Sequence, residues 1–293
     1  MYRIRFSVIV SLLSVAGAYA QGAGREVMAT PPPIEPSRLS IVPTASVTRS
    51  LDLDLSGVGV FMGTGKTLSR ASALLGIGDI AEVELSTVAM VSSLQSPNRL
   101  NSVPGGGLKV AFPVWRYWKG MAVGFRRSGT QIETVGAVKL NERVGEFYTV
   151  ASVANFLTQE EESVTGGWMG TKVKAHLGLS YMAARLTSMP AEARKKDFLR
   201  PFGGLEIWRG RSRVPQTRVM AEFGWMAHFK NQLEIEDIWV ATGGIRFFFH
   251  RYAAIDIGVR YQSNYDGLSE STLQTQFRLG WPTHLIRDRI IGL

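Results

Sequence analysis

Four histidines, His176, His228, His250 and His284, are the only imidazoles in this chain, and it has no cysteine. Imidazole is the side chain best suited to moving protons near neutral pH. None of the four has a second histidine at short metal-ligand spacing, and neither a metal site nor a cofactor is expected. Without cysteine, disulfides, thiolate metal sites and thiol nucleophiles are excluded. A serine hydrolase needs histidine, serine and a carboxylate converging at one place. His176 with Ser180, or His228 with Glu222, could supply parts, but spacing along a strand fixes nothing across strands. The chain is therefore read as a non-enzyme, with a lipid or peptide hydrolase as the weaker alternative.

Two glycine clusters invite a phosphate-binding reading. Gly63-Thr64-Gly65-Lys66-Thr67 falls short of a P-loop, because position 60 is Val60 rather than glycine. A helix should follow, yet Ala71, Ala73 and Leu75 alternate with Arg70 and Ser72, so a hairpin loop is expected. Gly105-Gly106-Gly107, preceded by Pro104, has no strand–helix context and reads as a turn.

The charged residues say more as a set. Asp52, Asp54, Glu82, Glu84, Glu222 and Asp256 are acidic; Lys172, Lys174, Arg218, Arg246, Arg260 and Arg278 are basic. All alternate with apolar neighbours, and the acids fall mainly early in the chain, the bases late. If the sheet closes, Asp52 or Asp54 can face Arg278 or Arg260. Such a set forms either a salt-bridged filling or a polar pathway whose basic wall favours anions.

The elements that hold these charges follow a period of two, the strand signature. Leu273, Thr275, Phe277, Leu279 and Trp281 share one face, against Gln274, Gln276, Arg278 and Gly280. Ile255, Ile257, Val259 and Tyr261 oppose Asp256, Gly258, Arg260 and Gln262. The same pattern marks segments beginning near Trp239, Val219, Val173, Ala81 and Leu51. Weaker strands are read at Thr67–Leu75, Leu108–Val114, Met121–Arg126, Phe147–Ala154 and Gly203–Trp208. The segment around Ala191–Lys196, after Pro190, is read as a short helix or a charged loop.

The flanks differ. Arg3 and Arg5, the apolar run Phe6–Gly17 and Ala18-Tyr19-Ala20 form a signal peptide over residues 1–20. Without Arg3 and Arg5 the formal net charge of +9 falls to +7. The basic residues are scattered, so anionic lipid headgroups or solutes are expected as partners and nucleic acid is not. Residues 21–45, with Pro31-Pro32-Pro33, Pro36 and Pro43, are read as a mobile linker, because few apolar residues there offset the entropy of ordering. Residues 46–282 form the folded part and 283–293 a C-terminal tail.

Two architectures alternate in this way: a soluble barrel or sandwich, and a membrane barrel. Strands of nine to eleven residues match a tilted bilayer crossing. Aromatics close the apolar stripes at Phe249, Tyr261 and Trp281, and at Trp115, Tyr117 and Trp118, as in an interfacial girdle. After residue 20 no stretch of 18 apolar residues offers a spanning helix. The reading is an all-β, antiparallel, up-and-down transmembrane β-barrel of about ten to twelve strands, exported to the outer membrane; a soluble periplasmic β protein is the alternative.

The segment Gly76–Glu84, with Lys109-Val110-Ala111-Phe112 and Met121-Ala122-Val123-Gly124-Phe125, resembles uncharacterised outer-membrane β-barrel proteins of Gram-negative bacteria, in which a strand with a glycine-containing turn is followed by inward acids. The resemblance is one of pattern over residues 46–282. It implies outer-membrane lipids and the barrel-assembly machinery as partners. Barrels of this kind often end on an aromatic residue that the machinery reads; here Trp281 is followed by Pro282 and residues 283–293. The function expected is a narrow, porin-like pore or transporter for a small polar or anionic solute. A non-conducting structural or adhesive barrel is the alternative, and the sequence fixes no oligomeric state.

Overall fold

A computed structural model describes residues 33–61, 67–92, 99–112, 118–135, 138–154, 171–189, 193–209, 214–230 and 234–283. Residues 1–20, read from the sequence as a signal peptide, the P-loop-like glycines 63–65, Trp115, Tyr117 and His284 lie outside them. Thirteen strands are present among the described residues: β1 (Leu53–Phe61), β2 (Thr67–Ile77), β3 (Ala81–Ser92), β4 (Arg99–Phe112), β5 (Trp118–Ser128), β6 (Gln131–Val135), β7 (Val138–Ala154), β8 (Thr171–Met189), β9 (Ala193–Arg209), β10 (Gln216–Lys230), β11 (Glu234–His250), β12 (Ala253–Gln262) and β13 (Thr272–Trp281).

Apart from β5 and β6, each strand pairs antiparallel with its neighbours in sequence. The ring closes where β13 meets β1, from Leu53↔Trp281 to Phe61↔Leu273. β5 and β6 both pair with β7, at Trp118–Arg127 and at Gln131–Val135, so they form one stave interrupted near Gly129. The wall therefore has twelve staves, and the expected up-and-down barrel is the observed fold.

Alternation sorts the side chains. Every stave places an apolar residue on the outside: Leu55, Leu75, Leu85, Leu108, Phe125, Phe147, Leu177, Leu199, Val219, Phe247, Ile257 and Phe277 are all exposed. No polar solvent would sustain an apolar belt that is continuous around a whole molecule. The opposite rows are buried and charged. Two aromatic rows bound the belt on the β10–β13 side. Phe223, Trp225, Trp239 and Tyr261 stack near one end, where ring centroids lie 5.3–6.0 Å apart. Phe249 and Phe277 stack near the other end, close to the exposed Trp281. Hydrocarbon demands that every backbone N–H and C=O be paired within the protein, which a closed ladder achieves. The chain is an outer-membrane β-barrel.

Several expectations need correction. Gly105–Gly107 is not a turn: β4 runs straight through it, paired with β3 and β5. Glycine is required because the neighbouring backbones are so close; a Cβ on Gly107 would lie 2.6 Å from the Phe125 carbonyl oxygen. The described part of the charged segment near Ala191–Lys196 is strand, since β9 starts at Ala193 and pairs with β8 at Thr187. The barrel begins at Leu53, and residues 33–45 are not a free linker. They fold inside the lumen.

Leu177, 66% exposed near the middle of the belt, tests the lipid-facing assignment. Leu177→Arg is expected to destabilise the barrel by about 2–4 kcal/mol in lipid vesicles. At a water-facing site the same change would stay within about 0.5 kcal/mol. Denaturant unfolding in vesicles distinguishes the two.

Candidate functional site

The polar lumen is filled from the Trp281 end by residues 33–52. This plug folds back on itself: Leu39 N donates to Val42 O, Thr44 N donates to Ser37 O, and Arg38 bridges Pro43. Prolines 36 and 43 deny it a regular ladder. Its backbone is satisfied by lumen side chains instead. One oxygen of the Glu222 carboxylate accepts from three consecutive amides, Ser40, Ile41 and Val42, at 3.1, 2.9 and 3.1 Å. Lys109 donates to the carbonyls of Ser37 and Ser46 at 3.0 and 2.5 Å, and pairs with Glu82 at 2.8 Å. Arg278 and Arg246 donate to Leu39 O. Thr48 N donates to Glu82 at 2.9 Å, and Ser37 Oγ to the same carboxylate.

Ion pairs and packing complete the seat. Arg38 meets Glu84 at 2.7 Å, and Glu35 meets Lys174 at 2.8 Å and Arg218 at 3.1 Å. Burial raises the Glu35 carboxyl, but Lys174 and Arg218 outweigh it and hold it down at about 2. Leu39 and Val42 are buried in one apolar cluster with Tyr148, Val150 and Phe202. Gly204 makes room for Leu39, whose Cδ1 would lie 2.3 Å from a Cβ there.

Most of the expected lumen residues are inside. Asp52, Glu82, Glu84, Lys174, Arg218, Glu222, Arg246, Asp256, Arg260 and Arg278 are buried; Asp54 and Lys172 are half-buried. The structure joins Arg246 to Asp256 through two bonds of 2.7 and 2.8 Å, and Arg218 to Glu206 at 2.8 Å. β13 does close on β1, but the carboxylate that pairs with Arg278 is Asp256 on β12, at 3.6 Å. Arg260 reaches the Met226 sulfur at 2.7 Å. Phe249 and Trp281 face outward and Tyr261 is half-buried in the aromatic row. Trp118 opens β5.

His176 does not act with Ser180, which donates to Glu146 at 2.6 Å. Its Nδ1 lies 2.7 Å from Ser152 Oγ, and its Nε2 lies 3.5 Å from Glu206. Ser152 also accepts from Ala45 N at 2.9 Å, so this buried chain of groups anchors the plug. His228 lies 3.8 Å from Glu236 rather than against Glu222. Sequence reasoning missed Glu35, Ser152 and Glu206. Glu206 alone carried a signal, its even register in the weak strand Gly203–Trp208.

The opposite end closes differently. β9 and β10 pair at only five positions, Gly203↔Phe223 to Ile207↔Val219. Farther along, residues 193–202 pair with β8 and residues 224–230 with β11. The β10–β11 hairpin leaves the wall there and tucks inside it. Ala227 and Phe229 belong to the outward row of Val219, yet both are buried against Val144, Met182, Leu186 and Phe198 from the inward rows of β7, β8 and β9. His228 and Phe229 pair in parallel with Val91 and Ser92 of β3, the stave directly opposite in the ring of twelve. Val60, Met226, Ile238 and Val240 form a second apolar cluster above the plug tip at Ile41.

Between the overlapped layers lies a narrow cleft. Ile41, Val42, Val144, Met182, Phe202, Trp225, Met226 and Ala227 line it, with Arg126, Glu146 and Ser180 at one end and Arg200 at the other. Arg200 donates to Asp237 at 2.6 Å and lies 5.2 Å over the Trp225 ring.

Neither a protein family nor a curated protein matches the chain. Among solved structures it is similar to the translocator domain of the autotransporter NalP from Neisseria meningitidis, at 9% identity and a TM-score of 0.41, over 94% of this chain and 97% of that one. OmpT, an outer membrane protein of Vibrio cholerae, is similar at 12% identity and a TM-score of 0.35, over 80% and 99%. The transport unit of AIDA-I from Escherichia coli follows at 10% identity and 0.29, over 96% and 98%. Likenesses of this order add nothing to what the ladder and the apolar wall establish.

Two outcomes test the plug. A hydrogen bond to a charged acceptor is worth about 1.5–3 kcal/mol, so in Glu222→Ala the amides of Ser40, Ile41 and Val42 should exchange hydrogen about 10–100-fold faster, while amides of β12 keep their rate. Glu35 is depressed from 4.5 to about 2, so its contribution is complete above pH 4.5 and lost as pH falls towards 2. Protection of the plug amides, taken relative to their intrinsic exchange at each pH, should fall across that window in the native chain, and Glu35→Gln should remove the part of that fall due to Glu35.

Proposed function

We propose that this protein is a closed outer-membrane barrel, non-conducting at rest, which works through its wall and rim rather than as a standing pore. The observation that carries this reading is that the lumen is blocked twice, by unlike means. Charged and hydrogen-bonded groups hold the plug at the Trp281 end. At the Phe229 end the block is apolar and reinforced by pairing of opposite staves. A solute crossing the barrel would have to displace both. The narrow-pore reading needs one continuous polar path, and the apolar layer interrupts it. The Ser152–His176–Glu206 chain is taken as structural, because it is covered by the plug backbone at Ala45.

A gated passage is the second reading, favoured by the ionic attachment of the plug. A lumen never emptied could be packed with apolar side chains at equal or better stability. Here the groups that grip the plug would stay hydrated after its departure.

Planar-bilayer recording separates the two. The full chain is expected to be silent, and Glu222→Ala to remain silent, because loosening the plug leaves the apolar layer intact. Steady single-channel current from the unaltered chain would overturn the closed reading. Current in Glu222→Ala alone would establish the plug as the single gate.

A further inference from the structure

The seam between β9 and β10 is one of the places where the described wall is not a continuous ladder, as the β2–β3 ladder, which stops at Ser72↔Ser86, is another. The β9–β10 seam opens at Gly203 and Phe223. On β9 the lipid-facing row continues past that point to Leu199, which is exposed, before turning polar at Asp197 and Lys195. The first part of the split therefore lies within the apolar belt, and its upper part at the belt's edge. The cleft behind it is walled mainly by apolar side chains. Its deep end is closed by groups already satisfied by one another, since Arg126 pairs with Glu146 and Ser180 donates to the same carboxylate. Its mouth is marked by Trp225 and Arg200, a pair suited to the boundary between hydrocarbon and headgroups. Around the mouth the charge is mainly positive: Arg194, Lys195, Lys196 and Arg200 against Asp197 and Asp237, with Lys196 3.4 Å from Asp237.

We propose that this cleft is a binding site for one acyl chain of an anionic membrane lipid. The chain enters sideways between β9 and β10, and the phosphate headgroup rests at Arg200 and Lys196. A cleft opening towards water would fill with water. One opening into the belt meets hydrocarbon chains at high local concentration, and apolar walls favour a chain over water. The basic mouth selects the anionic head. The proposal rests on placement in the membrane and not on the lumen being ion-tight.

Native mass spectrometry of the full chain in detergent micelles, titrated with phosphatidylglycerol or with phosphatidylcholine of the same chains, tests it. One phosphatidylglycerol is expected to remain bound under activation that strips phosphatidylcholine. Gly224→Leu should abolish retention. A Cβ at Gly224 meets Ile41 and Phe202 only in ordinary contact, at 3.5 and 3.9 Å, so the added bulk occupies the cleft. Heat-modifiable migration verifies that this variant folds, and Ala227→Leu serves where it does not. Arg200→Gln with Asp237→Asn should bind the two lipids alike. Retention of phosphatidylglycerol by a folded, filled variant would overturn the proposal, as would equal retention of both lipids by the unaltered chain. Because conductance is measured separately, either result leaves the closed-barrel reading to its own test.

Discussion

Everything in this molecule depends on how a backbone polar group is satisfied where no water is available. In hydrocarbon each unpaired N–H or C=O costs several kcal/mol by order of magnitude, so a lipid-facing sheet must close on itself. The pairing of β13 with β1 meets that requirement, and the period of two then decides the rest. One row of each strand must be apolar because it touches lipid. The other is free to be polar because it touches only protein. The long strands β7, β8 and β9 carry the ladder beyond the belt, and their inner faces supply the outer layer of the overlap.

The same requirement returns inside the lumen with a different solution. The plug is too proline-rich to pair as a strand, yet its amides and carbonyls are buried. Glu222, Lys109, Arg246, Arg278, Glu82 and Ser152 stand in for a partner strand. The charges on the barrel's inner face are therefore not an unused pathway. They are the complement of a particular stretch of backbone, and three amides converging on one carboxylate oxygen fix its register. Buried charge of this kind is retained where it specifies a conformation or where the site must at times be wet.

The outward and inward rows were legible in the sequence because alternation is local: Leu273–Trp281 and Ile255–Gln262 announce both faces without reference to any other strand. The inward acids Glu82 and Glu84 were legible for the same reason. What was not legible is non-local. Residues 33–45 looked unable to offset their ordering entropy, because the hydrogen bonds that stabilise them come from Glu222, about 180 positions away, and from Arg246 and Arg278, farther still. Gly105–Gly107 looked like a turn because glycine marks turns and close backbone approach alike, and only the pressed position of β4 between β3 and β5 separates them. The run Ala193–Lys196 is locally helical in composition but is committed to strand by its ladder with β8. His176 was matched to Ser180 on its own strand, whereas its partner Ser152 lies across the ladder on β7.

The seam shows the same logic applied to a departure from closure. If β10 and β11 stayed in the wall up to their tips, Asp237 would face the belt's edge in the outward row, beside Ala227. Tucked inside, Asp237 meets Arg200 and Lys196, and Phe229 gains an apolar enclosure formed by β7–β9. The passage of one layer beneath another needs small residues where they cross, and Gly224 and Ala227 stand there. The β10 edge released from β9 is capped in part by pairing with β3. On β9, the edge released in turn has no strand beside it among the described residues, so the separation of the two layers leaves both a cleft and an unpaired edge at the same height. A wall that existed only to span the membrane would have no reason to end its ladder after five pairs. The seam is thus a feature of the barrel that spanning alone does not require, and it is where the wall and the lumen come into contact.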